Sequence, residues 1–181
     1  MIYQFFTNLV FEDDDNYETL STLVKGTEID LTLKSLGKIL HFSYTGLNLH
    51  DINMDDEVLS RIYLPNQGPP RANNKLQPIP RLIDRIPAYN SCAKMGSFNY
   101  YSCDLASCVY AIMAKLEVNW AQIIFDTLVK EHSSSLPYRP YLTFIFKKFK
   151  LDLASETNVV KVFKPFDRSI LLRMKLIDTP P

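Results

Sequence analysis

The chain is poor in the residues that metal and phosphate chemistry use in fixed patterns. Its 181 residues include five glycines, three cysteines, three histidines and one tryptophan. The glycines form neither G-x-x-x-x-G-K nor G-x-G-x-x-G, so the sequence writes no backbone cradle for the phosphates of a nucleotide. Cys92, Cys103 and Cys108 lack C-x-x-C spacing, and no histidines stand four residues apart. A recognisable zinc site and the zinc knuckle of a nucleocapsid are therefore both missing, and no cofactor is expected. An odd, sparse set of cysteines is not the framework of a small secreted scaffold and predicts a reducing compartment. No apolar run approaches the roughly 20 residues needed to span a bilayer, so no membrane partner is expected. The apolar start, Met1 to Phe11, has no positive n-region or small-residue cleavage site and runs into Glu12-Asp13-Asp14-Asp15, unlike a signal peptide. The expected setting is intracellular, cytoplasmic or nuclear.

Net charge is also absent: 20 Lys and Arg balance 20 Asp and Glu. That balance conceals a gradient. Residues 1–60 carry 3 Lys against 11 Asp or Glu, whereas residues 138–181 carry 9 Lys or Arg against 4 acids, so the ends stand at −8 and +5. Such polarity orients head-to-tail contacts or favours a polyanion at the basic end, although charge of this kind is also the ordinary dress of solvated faces. With 46% hydrophobic and 22% charged residues the chain has a globular rather than a disordered composition. Its length suits one domain with a sizeable core.

What is present is helical periodicity, concentrated between Tyr101 and Phe149. Leu105, Cys108, Val109, Ile112, Met113 and Leu116 recur at the spacing of a helix that buries one face, with Ser102 and Asp104 placed to cap it. A second helix starts at Asn119-Trp120-Ala121-Gln122, where Asn119 caps forward and Gln122 is placed to reach back. Its apolar residues are Ile123, Ile124, Phe125 and Leu128, and it should stop near His132, before Ser133-Ser134-Ser135 and Pro137. A third runs from Tyr141, with Leu142, Ile145, Phe146 and Phe149 inward and Lys147, Lys148 and Lys150 in water. Packing these three faces against one another is worth roughly 1.5–3 kcal/mol for each large side chain buried.

Before this region, Ile2 to Val10 reads as a short amphipathic helix and Glu12 to Asp15 as a solvated loop. Leu23-Val24 and Thr27-Glu28-Ile29 flank Lys25-Gly26 as a small β-hairpin. Thr32 is placed to cap a helix carrying Leu33, Leu36, Ile39 and Leu40, and a further helix spans about Asp55 to Ile62. From Pro65 to Pro80 prolines, glycine and asparagines crowd together as a connector or exposed loop. Arg81 to Ile86 is a short helical piece ended by Pro87. Val159, Val160, Val162 and Phe163 suit a strand, and Phe166 to Leu176 a last helix. The expected fold is mainly α: a helical domain with a small β-hairpin near the N-terminus. Residues 1–64 form an N-terminal helical and hairpin subdomain, 65–80 a Pro-rich connector and 81–181 a C-terminal helical subdomain, together one compact domain.

The order of several short signatures carries a resemblance. Met1 to Leu9, Val24-Lys25-Gly26 with Ile29, Arg81-Leu82-Ile83 with Ile86, Lys94 with Gly96, Val118-Asn119, Leu136-Pro137-Tyr138 with Leu142-Thr143 and Ile145-Phe146, and Leu171 with Arg173-Met174 resemble the plant transposon protein domain. The sequence departs from the family's loop pattern at Cys92-Ala93-Lys94-Met95-Gly96 and at Arg139-Pro140. The resemblance implies a plant protein of retrotransposon-related origin, and it carries over no catalytic residues.

Three functional readings follow. The first is a non-enzymatic interaction or assembly module, Gag-like, whose partner is another protein or a second copy and whose acidic and basic ends set the contacts. The second is nucleic-acid binding by the basic C-terminal third, in which Lys147, Lys148, Lys150, Lys161, Lys164 and Arg168, with Arg173 and Lys175, accompany Phe146 and Phe149. The third, a cysteine-dependent hydrolase, needs a thiolate beside a histidine. Cys103 near a helix start and His41, His50 or His132 are the residues available, without any nucleophile motif around them. Cys108 falls in an apolar stripe and reads as core.

Overall fold

The computed structural model describes residues 1–14, 17–66, 75–90, 103–130, 139–154 and Leu172. Near the N-terminus, alternation of apolar and polar side chains decides the architecture. Strand β1 (Val10–Asp14), β2 (Tyr17–Val24) and β3 (Thr27–Thr32) form an antiparallel sheet in the order β1-β2-β3. Val24 pairs with Thr27 across the Lys25-Gly26 turn, where both residues hold positive φ, 48° and 77°. The period of two sends Leu20, Thr22, Val24, Ile29 and Leu31 to one buried face and leaves Leu23, Glu28 and Asp30 on the other, in water.

Among the described residues, helices cover the first face only. Helix α1 (Ile2–Thr7) supplies Phe5 and Phe6, and α2 (Leu33–Leu40) supplies Leu36. Helix α7 (Trp120–Lys130) brings Ile124, Phe125 and Leu128, and α8 (Arg139–Lys148) brings Leu142, Ile145 and Phe146. Phe5 meets Phe6 and Phe146 edge-on, at ring-centroid distances of 5.3 and 5.9 Å, an arrangement that adds to the area buried. The hydroxyl of buried Thr22 donates to the Phe5 carbonyl at 2.9 Å, so the polar atom on this face is satisfied. Helix α2 starts as its sequence dictates: the Ser35 N–H donates to Thr32 Oγ1 and the Thr32 N–H to Ser35 Oγ, a reciprocal cap.

A second group of helices packs around α6 (Cys103–Ala114): α3 (Asp56–Ile62), α4 (Pro78–Ile83) and α5 (Arg85–Asn90). Their core joins Val58, Ile62, Tyr63 and Leu76 to Leu105, Ala106 and Val109. Asp55 caps α3 by accepting from the Val58 N–H at 2.9 Å. Tyr63 and Leu76 form an antiparallel bridge, with the Leu64 N–H donating to the Lys75 carbonyl and the Gln77 N–H to the Ile62 carbonyl. The chain on either side of the proline-rich stretch is thereby joined backbone to backbone.

The mainly α expectation is overturned: the chain is mixed α and β, because a three-stranded sheet forms the floor of its largest core. The hairpin at Lys25-Gly26 is present, but it extends back to Tyr17 and recruits a third strand from the acidic run expected as a loop. Pairing of Phe11 with Leu20 and of Glu12 with Thr19 outweighs the poor strand preference of the acids. Nor do the three central helices bury their faces as one bundle: α7 and α8 pack on α2, while α6 packs on α3, α4 and α5. Helix α4 begins at Pro78, earlier than Arg81, and Pro87 lies in the first turn of α5 rather than ending a helix; a proline there removes only an N–H that has no helical acceptor. The expected strand at 159–163, the expected end of α7 at His132 to Pro137, the cap Ser102 and the side chain of Asp104 lie outside the described residues, as does the expected helix at 166–176 apart from Leu172.

The two helical groups meet where the loop after α2 docks on the start of α7. The Leu47 N–H donates to the Glu117 carbonyl at 2.8 Å, the Asn119 N–H to Leu47 at 3.0 Å and the Ala121 N–H to Ser43 at 2.9 Å. Leu49, Cys108, Ala111 and Val118 close the gap as a small apolar cluster. Gly46 permits the approach, because at φ +111° a Cβ would overlap the Glu117 carbonyl oxygen. Replacing it strains the backbone and forces the segments apart. Gly46→Ala is expected to cost about 2–4 kcal/mol in urea unfolding. Gly26→Ala, with no atom within 4 Å of the added carbon, should cost only about 1 kcal/mol through its φ. Equal losses would contradict this account of the junction.

Candidate functional site

At the end of α8 the burial of four apolar side chains pushes the lysines outward. Leu142, Ile145 and Phe146 turn into the core, and Leu151 returns to it beyond the helix. The return is made by Lys150, at φ +57°, with the Lys150 N–H donating to the Lys147 carbonyl and the Leu151 N–H to that of Phe146. This is a helix end closed by a left-handed residue. Lys147, Lys148 and Lys150 are consequently exposed, and the first two lie in the last turn, where the helix dipole favours cations. Lys25 at the hairpin tip donates to the Asp152 carbonyl at 3.4 Å and so joins the same end of the molecule.

The aromatic residues that accompany these lysines in sequence are not on the surface with them. Phe146 is in the core and Phe149 is half-buried against it. The aromatic side chain that is available is Phe144, 54% exposed, which shares a helix face with Lys147 and Lys148 at i+3 and i+4. Sequence reasoning passed over it; the signal was that Phe144 falls off the Leu142, Ile145, Phe146 and Phe149 stripe. Lys161, Lys164 and Arg168, with Arg173 and Lys175, lie outside the described residues.

The open face of the sheet has the opposite charge. Its rows are Val10, Ser21 and Asp30; Glu12, Thr19 and Thr32; and Leu23 with Glu28. Ser21 Oγ donates to Asp30 Oδ1 at 2.7 Å. Val10 and Leu23 stand 53% and 52% exposed among the carboxylates, so the surface is apolar as well as acidic.

A third arrangement is internal. Asp84, between α4 and α5, is 1% exposed and lies 3.9 Å from Arg85 Nε, while Arg81 donates through Nη2 to the Leu76 carbonyl at 2.8 Å. Asp84 was missed from the sequence, where it sits in an apolar stretch with Arg81 at i−3, a spacing of helix-borne ion pairs, and Arg85 next to it. The group lies at the joint between α4 and α5. Elsewhere, burial raises the Tyr141 phenol above its ordinary pKa, next to an edge-on Phe42 at 5.6 Å.

Cys108 is fully buried and belongs to the core, as its place in the stripe implied. His41 and His50 are exposed on separate segments, whereas the side chain of Cys103, together with Cys92 and His132, lies outside the described residues. Asn119 caps α7 by accepting from the Gln122 N–H at 3.1 Å, but the Gln122 side chain turns forward to Asp126 at 2.6 Å instead of back. Among the described residues no group of three or more His, Cys, Asp or Glu could hold a metal ion, and no helix is long and apolar enough to cross a membrane.

No family model matches the chain, and no curated protein and no solved structure matches it.

The buried carboxylate makes a direct stability prediction. Arg85 is partly exposed and is not stranded as a fully buried charge, so Asp84→Ala, which removes a buried carboxylate, should cost about 1–3 kcal/mol in urea unfolding. A loss below about 1 kcal/mol would place the pair among exposed, weak ones.

Proposed function

We propose that the chain is a non-catalytic assembly module, in which the Phe144, Lys147 and Lys148 face of one copy docks on the acidic outer face of another copy's sheet. One observation carries the reading: among the described residues the sheet is covered by helices on one side only, and its other side mixes Val10 and Leu23 with Glu12, Glu28 and Asp30. The α8 face is its complement, a cationic pair beside an exposed phenylalanine. Opposite charges select the orientation and the apolar residues supply the area removed from water. A contact between two different patches is head-to-tail, so it builds chains or rings rather than closed pairs. The resemblance to the plant transposon protein domain fits this reading with an origin in a mobile element and a Gag-like scaffold role, in an intracellular setting, cytoplasmic or nuclear.

Nucleic acid is the second reading, favoured by the convergence of Lys25, Lys147, Lys148 and Lys150 on one end. With Phe146 buried, that end offers phosphate contacts more readily than a platform for stacked bases.

Charge exchange tests the assembly. A Glu12→Lys, Glu28→Lys, Asp30→Lys variant carries two positive faces, and a Lys147→Glu, Lys148→Glu variant carries two negative ones. By sedimentation at about 0.02 M salt, where screening reaches only beyond roughly 20 Å, the natural chain should grow in mass with concentration. Each variant alone should remain monomeric, and their mixture should associate again. Monomer mass throughout, or a mixture that does not associate, overturns the reading. In the same buffers, RNA binding that falls steeply with salt and is lost in the Lys147→Glu, Lys148→Glu variant would instead support the second reading.

A further inference from the structure

The sheet has an edge as well as a face, and the two differ in what they can hold. Strand β1 is hydrogen-bonded to β2 on one side, and the sheet order ends there among the described residues. Val10, Phe11, Glu12 and Asp13 are all exposed along it. An edge of this kind presents a row of backbone donors and acceptors that a further strand can complete. The side chains decide which strand. Two β1 strands paired in parallel register, or antiparallel about Glu12, would set Glu12 against Glu12, and like charges opposite one another are unfavourable, so these pairings with a second β1 are disfavoured. A strand with Lys or Arg at the facing positions is drawn in by the same carboxylates.

We infer that β1 is a docking edge for an extended basic segment of a partner protein, which adds to the sheet as a fourth strand. The register states its sequence. Opposite Val10 and Phe11, which point to the outer and inner faces, the incoming strand needs two adjacent apolar residues. Opposite Glu12 and Asp13 it needs two adjacent basic ones. An antiparallel partner reads basic-basic-apolar-apolar from its N-terminus. Backbone pairing gives the affinity, and the four side chains give the choice. This contact shares Val10 and Glu12 with the outer face used in the head-to-tail assembly, so the two are separated by removing the α8 face.

The test uses the full chain carrying Lys147→Glu and Lys148→Glu, which removes the basic face that assembly would use. Fluorescence anisotropy follows a labelled Ser-Lys-Arg-Val-Ile-Ser peptide at low salt, together with two forms N-methylated at alternate residues. Only one edge of an added strand faces β1, so one methylated form should lose binding and the other retain it. Glu12→Gln and Asp13→Asn should each weaken the peptide by about threefold to fivefold, as expected for losing one cross-strand charge pair. A peptide with Glu and Asp in place of its basic residues should not bind. Equal binding by both methylated forms would show adsorption to surface charge and overturn the inference, as would no binding of the unmodified peptide.

Discussion

A three-stranded sheet buried on one face is the constraint on which the rest of the structure depends. Two adjoining features of β2 and β3 enforce it: the strict alternation around Leu20, Thr22 and Val24, and the same alternation at Ile29 and Leu31. A one-residue slip would turn every one of these side chains into water, so the register is held by the whole inner face at once. Four helices then have a fixed surface to cover, and each does so with apolar residues at i, i+3 and i+4. The outer face has no such demand on it and collects the acids. Function, on the reading proposed above, lives on what the core leaves uncovered: the outer face, the β1 edge and the last turn of α8.

The second group of helices reaches this scaffold through a narrow junction. Three backbone hydrogen bonds between residues 43–47 and 117–121, and the small cluster around Cys108 and Val118, tie α3–α6 to the start of α7. Backbone contact that close demands a residue without a Cβ, and Gly46 supplies it. The polar group around Asp84 lies at the joint between α4 and α5, with its carboxylate turned away from solvent.

Local signals were legible where one residue does one job. Thr32 and Asn119 cap the helices they precede, Lys25-Gly26 turns a hairpin, and the stripes of α6, α7 and α8 contain the large buried side chains of those helices. Partners were not legible, because a stripe states how much surface a helix hides and not what hides it. The acidic strand was hidden for a related reason: Glu12 and Asp13 have little strand preference of their own, and only the presence of Thr19 and Glu18 opposite makes them extended. At the candidate surface, Lys147, Lys148 and Lys150 were legible as exposed cations, while the relevant aromatic residue was not, since periodicity drew attention to the phenylalanines that fit the core. Phe144 stands out only once the inward face of α8 is known.

The central claim is that the uncovered side of the sheet and the end of α8 are contact surfaces between molecules. Amide hydrogen exchange of the natural chain, dilute and concentrated at low salt, tests it most directly. Slower exchange at high concentration confined to β1, the Lys25-Gly26 turn and the last turn of α8 is the expected result. Exchange that does not change with concentration in those segments, or that slows instead along the outer surface of α4 and α5, would contradict it.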